Sequence, residues 1–384
     1  MNNRERTLAI LNYENYDRLP LIHFGYWAET LQKWAAEGYI TEEDAKFHQD
    51  GNLVDVALNQ KLGFDFCWSN AFSWNTRLDP PLDWRVVEQR PDGSRVVMNG
   101  DGAYVIEKPD IVSIPTEVDH LLKGRKEWEE IYKPRLQFNT DRILSGWAVV
   151  DGNAYSFDAG GRDMLMRQDA SHPVGLYCGG MIGVIRDWLG LVNMSYLMTD
   201  DELLFDEIAD TVCELTYRGT KAVLESGVKF DFAHFWEDIC YKSGPLVNPH
   251  MFAKKFGPRY KRITDLLRSY GIHLTSLDCD GKIDALIPTW LENGVNIMFP
   301  IEVGTWYASI RPWREKYGRE LRGIGGLNKH IFGYDRAAID AEIERMRSLV
   351  DLGGYIPCPD HRLPLEARWE NVQYYCERMR KVFG

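Results

Sequence analysis

Residues 321–361 read LRGIGGLNKHIFGYDRAAIDAEIERMRSLVDLGGYIPCPDH. Leu321 to Ile324 and Tyr355 to Cys358 are short apolar runs of strand type. Between them, Asp335–Leu352 carries Ile339, Ile343, Met346, Leu349 and Val350 at helical spacing, one apolar stripe on an otherwise polar helix. A strand, a helix and a second strand in this order predict parallel pairing with the helix laid over the sheet. The same unit recurs upstream. Leu19 to Phe24, Phe64 to Trp68, Val174 to Cys178, Phe230 to Phe235, His273 to Leu277 and Val295 to Ile301 read as strands. Asp201–Ser226 and Pro249–Tyr270 read as amphipathic helices. About 200 residues of such alternation predict an α/β fold with a parallel sheet and helices outside it.

One stretch breaks the rhythm. From Leu78 to Ile111 polar and apolar residues alternate around Pro91-Asp92-Gly93 and Asn99-Gly100-Asp101-Gly102, which are hairpin turn signals. This predicts an antiparallel β-hairpin insertion at about 78–111, followed by a helical and loop-rich connector over Pro115 to Asp141. Neither a repeat nor a Pro/Gly/Ser linker divides the chain, so residues 1–384 are expected to form a single domain.

The 384 residues carry 45 Lys and Arg against 57 Asp and Glu, a net charge of −12. An acidic surface without basic blocks repels phosphate backbones and anionic bilayers, so neither nucleic acid nor a membrane is an expected partner. No run approaches the roughly 18 apolar residues of a membrane span, and the first residues lack the apolar core of a secretory signal. The seven cysteines are scattered without a CxxC pair, the usage of a reduced, cytoplasmic protein.

In parallel α/β folds the active site lies beyond the carboxyl ends of the strands. After the first strand come His23, Phe24, Tyr26 and Trp27, and after the second Cys67 and Trp68. Later strands are followed by Trp236, Glu237 and Asp238, by Asp278, Cys279 and Asp280, by Glu302, and by Asp360 and His361. If the strand continues to Asp280, alternation puts Asp278 and Asp280 on one face and Cys279 on the other. Two carboxylates that close repel unless a cation, a shared proton or hydrogen bonds compensate. That pattern suits metal ligation or acid/base work, or else a turn in which Asp280-Gly281 stops the strand and Asp278 caps amides. Glu302 reads as a buried ligand or as a carboxylate satisfied by backbone amides. The Glu237-Asp238 pair reads as a metal or substrate site, or as a helix cap at Asp238.

His361 lies in a proline-framed loop, as a metal ligand, an acid/base group or a structural side chain. Cys178, Cys279 and Cys358 stand near strand ends where a thiolate binds soft metals; Cys213 and Cys376 read as core. His48, His120, His250 and His330 read as surface or cap residues. Trp27, Trp68, Trp74 and Trp236 gather near strand ends and suggest an aromatic-lined pocket. The absence of a P-loop, of a GxGxxG after a strand and of a GxSxG elbow argues against nucleotide kinases, dinucleotide dehydrogenases and serine hydrolases.

Several of these stretches resemble the uroporphyrinogen decarboxylase superfamily. They are RERTLAILNYENYDRLP (4–20), WEDICYKSGP (236–245), DCDGKID (278–284), FPIE (299–302), GGLNK (325–329) and GGYIPCPDH (353–361). The likeness covers residues 1–30 and about 170–384, and it implies a (β/α)8 TIM barrel. Decarboxylases of that superfamily hold their acidic porphyrinogens with an arginine-bearing N-terminal loop. Here residues 23–30, HFGYWAET, contain no arginine.

The other branch holds corrinoid-dependent methyltransferases, whose thiol-methylating members bind zinc on an HxC motif and a later cysteine. Asp278-x-Asp280 stands in the HxC place, and the later cysteine falls near Cys358 to His361. Oxygen and imidazole ligands leave zinc more Lewis-acidic than thiolates do, which suits an ether or amine donor.

The resemblance thus implies a zinc-dependent methyltransferase. It would move a methyl group from a small, methoxy-aromatic substrate to the corrinoid (cobalamin) of a partner protein. Zinc would be held by some of Glu237, Asp278, Asp280, Glu302, Cys358 and His361, with Asp280, His361 and Glu237 as the catalytic residues. His23, Tyr26, Trp27, Trp68 and Trp236 would contact the substrate. A cofactor-free decarboxylase with Asp280 or His361 as proton donor, and a non-catalytic ligand-binding barrel, stay open as alternatives, as does a homodimer.

Overall fold

The computed structural model describes residues 1–108 and 111–384. The eight expected strands are present in order, with one more, β3, that the sequence reading did not include: β1 (Ile22–His23), β2 (Phe66–Cys67), β3 (Phe72–Ser73), β4 (Gly175–Tyr177), β5 (Phe232–Trp236), β6 (Thr275–Asp278), β7 (Ile297–Ile301), β8 (Arg322–Leu327) and β9 (Tyr355–Pro359). Strands β3 to β9 lie side by side in chain order, each parallel to the next. Two antiparallel strands, Trp147–Val150 and Asn153–Ser156, extend the sheet beyond β3. Strands β7 and β9 are buried at every residue, which is why they read as continuous apolar runs without alternation.

Amphipathic helices cover the sheet. Glu202–Glu225 is capped by the Asp201 side chain and buries Leu204, Phe205, Ile208, Ala209 and Val212 along one stripe. Pro249–Ser269 starts on an Asn248 cap with proline in its first turn, where the missing N–H costs nothing.

The ladder is not closed by hydrogen bonds as the expected (β/α)8 barrel would be. Strands β1 and β2 form a separate parallel pair, Ile22 opposite Phe66 and His23 opposite Cys67. The chain beyond β1 is tied to the segment after β9 by Trp27 N–H to Leu363 O (3.2 Å) and Leu363 N–H to Gly25 O (3.0 Å). Among the described residues no ladder joins β2 to β3. With two residues each, these strands hold register through single bonds rather than through a continuous ladder.

Where the hairpin was expected, four antiparallel strands run from Arg85 to His120 as a sheet separate from the main ladder. Residues 109–110, near the end of the expected 78–111 stretch, lie outside the described residues. The Asn99–Gly102 turn is built as read: Asn99 Oδ1 accepts the N–H groups of Asp101 and Ala103 (both 3.0 Å), and Gly102 takes φ 84°. The connector reading fails at its start, because Pro115 belongs to the strand Ile111–His120. That strand lies at the sheet edge, the position where a missing N–H is tolerated. Among the described residues no helix is long and apolar enough to cross a membrane.

Candidate active site

Strand parity decides which side chains meet. On β6, Asp278 points with Ser276 toward the cavity face, and Asp280 follows two residues on. On β5, His234 and Trp236 line the same cavity, and Asp238 continues their parity at φ 44°, a left-handed conformation that few non-glycine residues adopt and that aspartate tolerates better than most. Asp238, Asp278 and Asp280 each bring a carboxylate oxygen within 4.8 Å of the other two. Asp280 N–H donates to Asp238 Oδ1 (3.0 Å), locking the two strand ends together. The second oxygen of Asp280, Oδ1, is buried without a partner.

Burial, followed by the Asp280 charge, pushes the Asp238 carboxyl up to about 7. Burial and then Asp238 and Asp280 push Asp278 well above the carboxylate range, with the Arg362 guanidinium opposing. Burial leads, and like charges packed together add to it, with only partial relief from the neighbouring cations. A metal-free fold thus holds a proton on Asp238 that the unfolded chain has already released between about pH 4 and pH 7, so its stability falls as pH rises through that window. Thermal melts of metal-free protein are expected to give a lower midpoint at about pH 7.5 than at about pH 5, the loss being recovered at the higher pH by a divalent cation that binds the cluster.

His361 stands over the cluster as a hydrogen-bond donor. Its Nδ1 accepts the Arg362 N–H (2.8 Å), so the neutral ring carries its proton on Nε2, 3.2 Å from Asp280 Oδ2. Trp27 stacks on the imidazole at 5.4 Å and 17°, and Phe24 meets it edge-on at 5.1 Å. Glu302 lies beside the cluster, but both oxygens are in use, Oε2 on Gly281 N–H (2.5 Å) and Oε1 on the Thr305 hydroxyl (2.8 Å).

The carboxylate cluster opens on a cavity of about 470 Å³ whose walls include Phe24, Trp68, Tyr177, His234, Trp236 and Phe299. Arg77, held by Asp187 (2.7 Å), and the Arg362–Asp50 ion pair bring charge to its rim.

Other expected residues lie elsewhere. Glu237 is fully buried and turned away: Oε1 accepts Met181 N–H (2.8 Å) and the Tyr260 hydroxyl, and Oε2 accepts Gly183 N–H (2.7 Å). It caps the helix Ile182–Asp200, because its parity is opposite to that of Trp236 and Asp238. Cys358 is buried within β9 and outside the carboxylate group; burial raises its thiol. Asp360 accepts the N–H groups of Val303 and Gly304 (both 2.7 Å) and so caps a short helix. His23 and Tyr26 do not line the cavity; both are buried and face His48 and Asp55. Asp238 is the cluster member that the residue types did not single out from Glu237. The alternation that paired Asp278 with Asp280, applied to His234 and Trp236, points to it.

The fold is shared with a solved methyltransferase. The methyltransferase from Methanosarcina mazei superposes on 100% of this chain and 99% of its own at TM-score 0.60, with 14% identity. At that identity the match shows a shared fold. A structure described as a vitamin-B12-independent methionine synthase from Listeria monocytogenes matches 58% of this chain and 69% of its own at 13% identity and TM-score 0.37; so partial a match carries no argument. No family model and no curated protein match the chain.

Proposed function

We propose that the protein is a zinc-dependent methyltransferase whose methyl acceptor is a corrinoid carried by a partner protein. The observation that carries this reading is the group of three carboxylates within 4.8 Å at the strand ends, one of them with an orphaned buried oxygen, beside an aromatic-walled cavity. Three clustered carboxylates fit a divalent cation, and zinc takes carboxylate oxygens among its ligands. Asp238, Asp278 and Asp280 would hold the metal, and His361 would orient Asp280 from outside the ligand set. Bound zinc supplies Lewis acidity toward the oxygen or nitrogen that loses the methyl group.

The residues of the chain do the rest. The walls formed by Phe24, Trp68, Trp236 and Phe299 exclude water and accept a flat, methoxylated ring. His361 holds a proton on Nε2 at the cluster, where it would serve a developing phenoxide. In this reading residues 1–384 act as one unit, with the Arg85–His120 sheet as an insertion.

The test is methyl transfer from methoxy-aromatic compounds to a reduced corrinoid protein, with elemental analysis of the same preparation. Activity that needs zinc and falls with its removal supports the proposal, and a preparation that neither contains nor takes up metal at the carboxylates overturns it. A related expectation concerns Trp27. Trp27→Ala removes the stack that fixes the imidazole plane and is expected to lower kcat about 10-fold while metal content stays unchanged, the size of effect seen for residues that orient a site.

A further inference from the structure

A second cluster, on the side of β2 away from the carboxylates, has no part in that reaction. Asp55 lies on the helix Leu53–Leu62, while His23 and Cys67 lie opposite each other on β1 and β2. One donor atom from each of the three lies within 4.8 Å of the others, and His23, Asp55 and Cys67 are 0%, 1% and 5% exposed.

His23 Nε2 is buried with no hydrogen-bond partner and stands 3.7 Å from Asp55 Oδ1. That gap is too long for a hydrogen bond; it is close to the separation of two ligands on one tetrahedral metal. The carboxylate is held in place from outside. Oδ2 accepts Gly51 N–H (3.2 Å) and Asn59 Nδ2–H (3.1 Å), and His48 Nε2 lies 3.0 Å from Oδ1. His48 is therefore no surface residue but part of the support that orients a ligand. A cavity of about 230 Å³, lined in part by Asp55, Cys67 and Ser69, adjoins the cluster and leaves room for a water ligand and a route for the ion.

We propose that His23, Asp55 and Cys67 form a second metal site that takes a zinc ion through one nitrogen, one oxygen and one sulfur. The mixed donor set selects a borderline-soft divalent cation over magnesium or calcium, which prefer all-oxygen shells. Binding exchanges the Cys67 thiol proton, released to solvent, for the metal–sulfur bond. His23 Nδ1 now accepts Gly25 N–H (2.9 Å). Coordination through Nε2 requires the tautomer with the ring proton on Nδ1 and displaces the Gly25 N–H from that nitrogen. The site would staple the parallel pair β1–β2, which lies outside the main ladder, to the helix Leu53–Leu62.

Cobalt(II) titrated into the metal-free full chain tests this independently of methyl transfer. A thiolate-to-cobalt charge-transfer band in the near ultraviolet is expected, since Asp238, Asp278 and Asp280 offer no sulfur. The band is expected to disappear in Cys67→Ser together with one equivalent of cobalt, and to persist in Asp280→Asn. Absence of the band in the wild-type protein at saturating cobalt, or its survival in Cys67→Ser, would overturn the assignment. If Cys67→Ser does not fold by circular dichroism, His23→Gln takes its place: loss of one equivalent supports the site, and full cobalt content refutes it.

Discussion

Asp280→Ala is expected to abolish methyl transfer and to release one equivalent of metal. Asp280 is the cluster residue with an unpartnered buried oxygen, and its other oxygen is the contact for His361. The substitution thus removes a ligand and strands the imidazole donor. Loss of a supporting residue alone typically costs about 10- to 100-fold in metal affinity or activity, and loss of a ligand exceeds that range. Metal-free protein is expected to respond in the opposite direction. Asp238 and Asp278 are both raised in part by the Asp280 charge, so its removal relieves repulsion and the metal-free variant melts above metal-free wild type at about pH 7.5. Transfer assays, elemental analysis and melts on one pair of preparations check all three results. Full transfer activity in Asp280→Ala would show that the chemistry lies elsewhere.

The alternation of strand and helix was legible because a parallel sheet buries both faces and its helices bury one. The run Asp335–Leu352 became the helix Arg336–Val350 and Tyr355 to Cys358 became β9, each shifted only at its ends. The carboxylates at 278 and 280 were legible for the same reason, since strand parity is a local property. What was not legible depended on neighbours distant in the chain. Nothing near Glu237 announces that Met181, Gly183 and Tyr260 will take up its oxygens. Arg77 is held at the cavity by Asp187, on the helix Ile182–Asp200, which is distant in the chain. His23 and Tyr26 were read as substrate contacts because they follow a strand. The separate β1–β2 pair instead turns them toward Asp55, where side chains from three elements converge.

Glu237→Ala separates structural from catalytic carboxylates. It is expected to cost stability on the order of 3–5 kcal/mol while leaving bound metal unchanged. The wild-type side chain receives two backbone N–H groups and one hydroxyl in a fully buried site, at the amino end of a helix, where negative charge is favoured. Burial holds the carboxyl up at about 7, so these bonds work against a large desolvation cost, and removing the acceptor strands all three donors at once. The helix has no room to move in at Gly183: a Cβ there would lie 2.1 Å from the Glu237 carbonyl oxygen, so the two backbones are already in contact. Glu237→Gln keeps the volume but turns an NH2 group toward donors, and is expected to fall between the alanine variant and wild type. Urea denaturation with metal analysis checks the pair. Metal lost from Glu237→Ala at unchanged stability would make Glu237 a ligand, and Asp238 would then have to be turned out of the cluster.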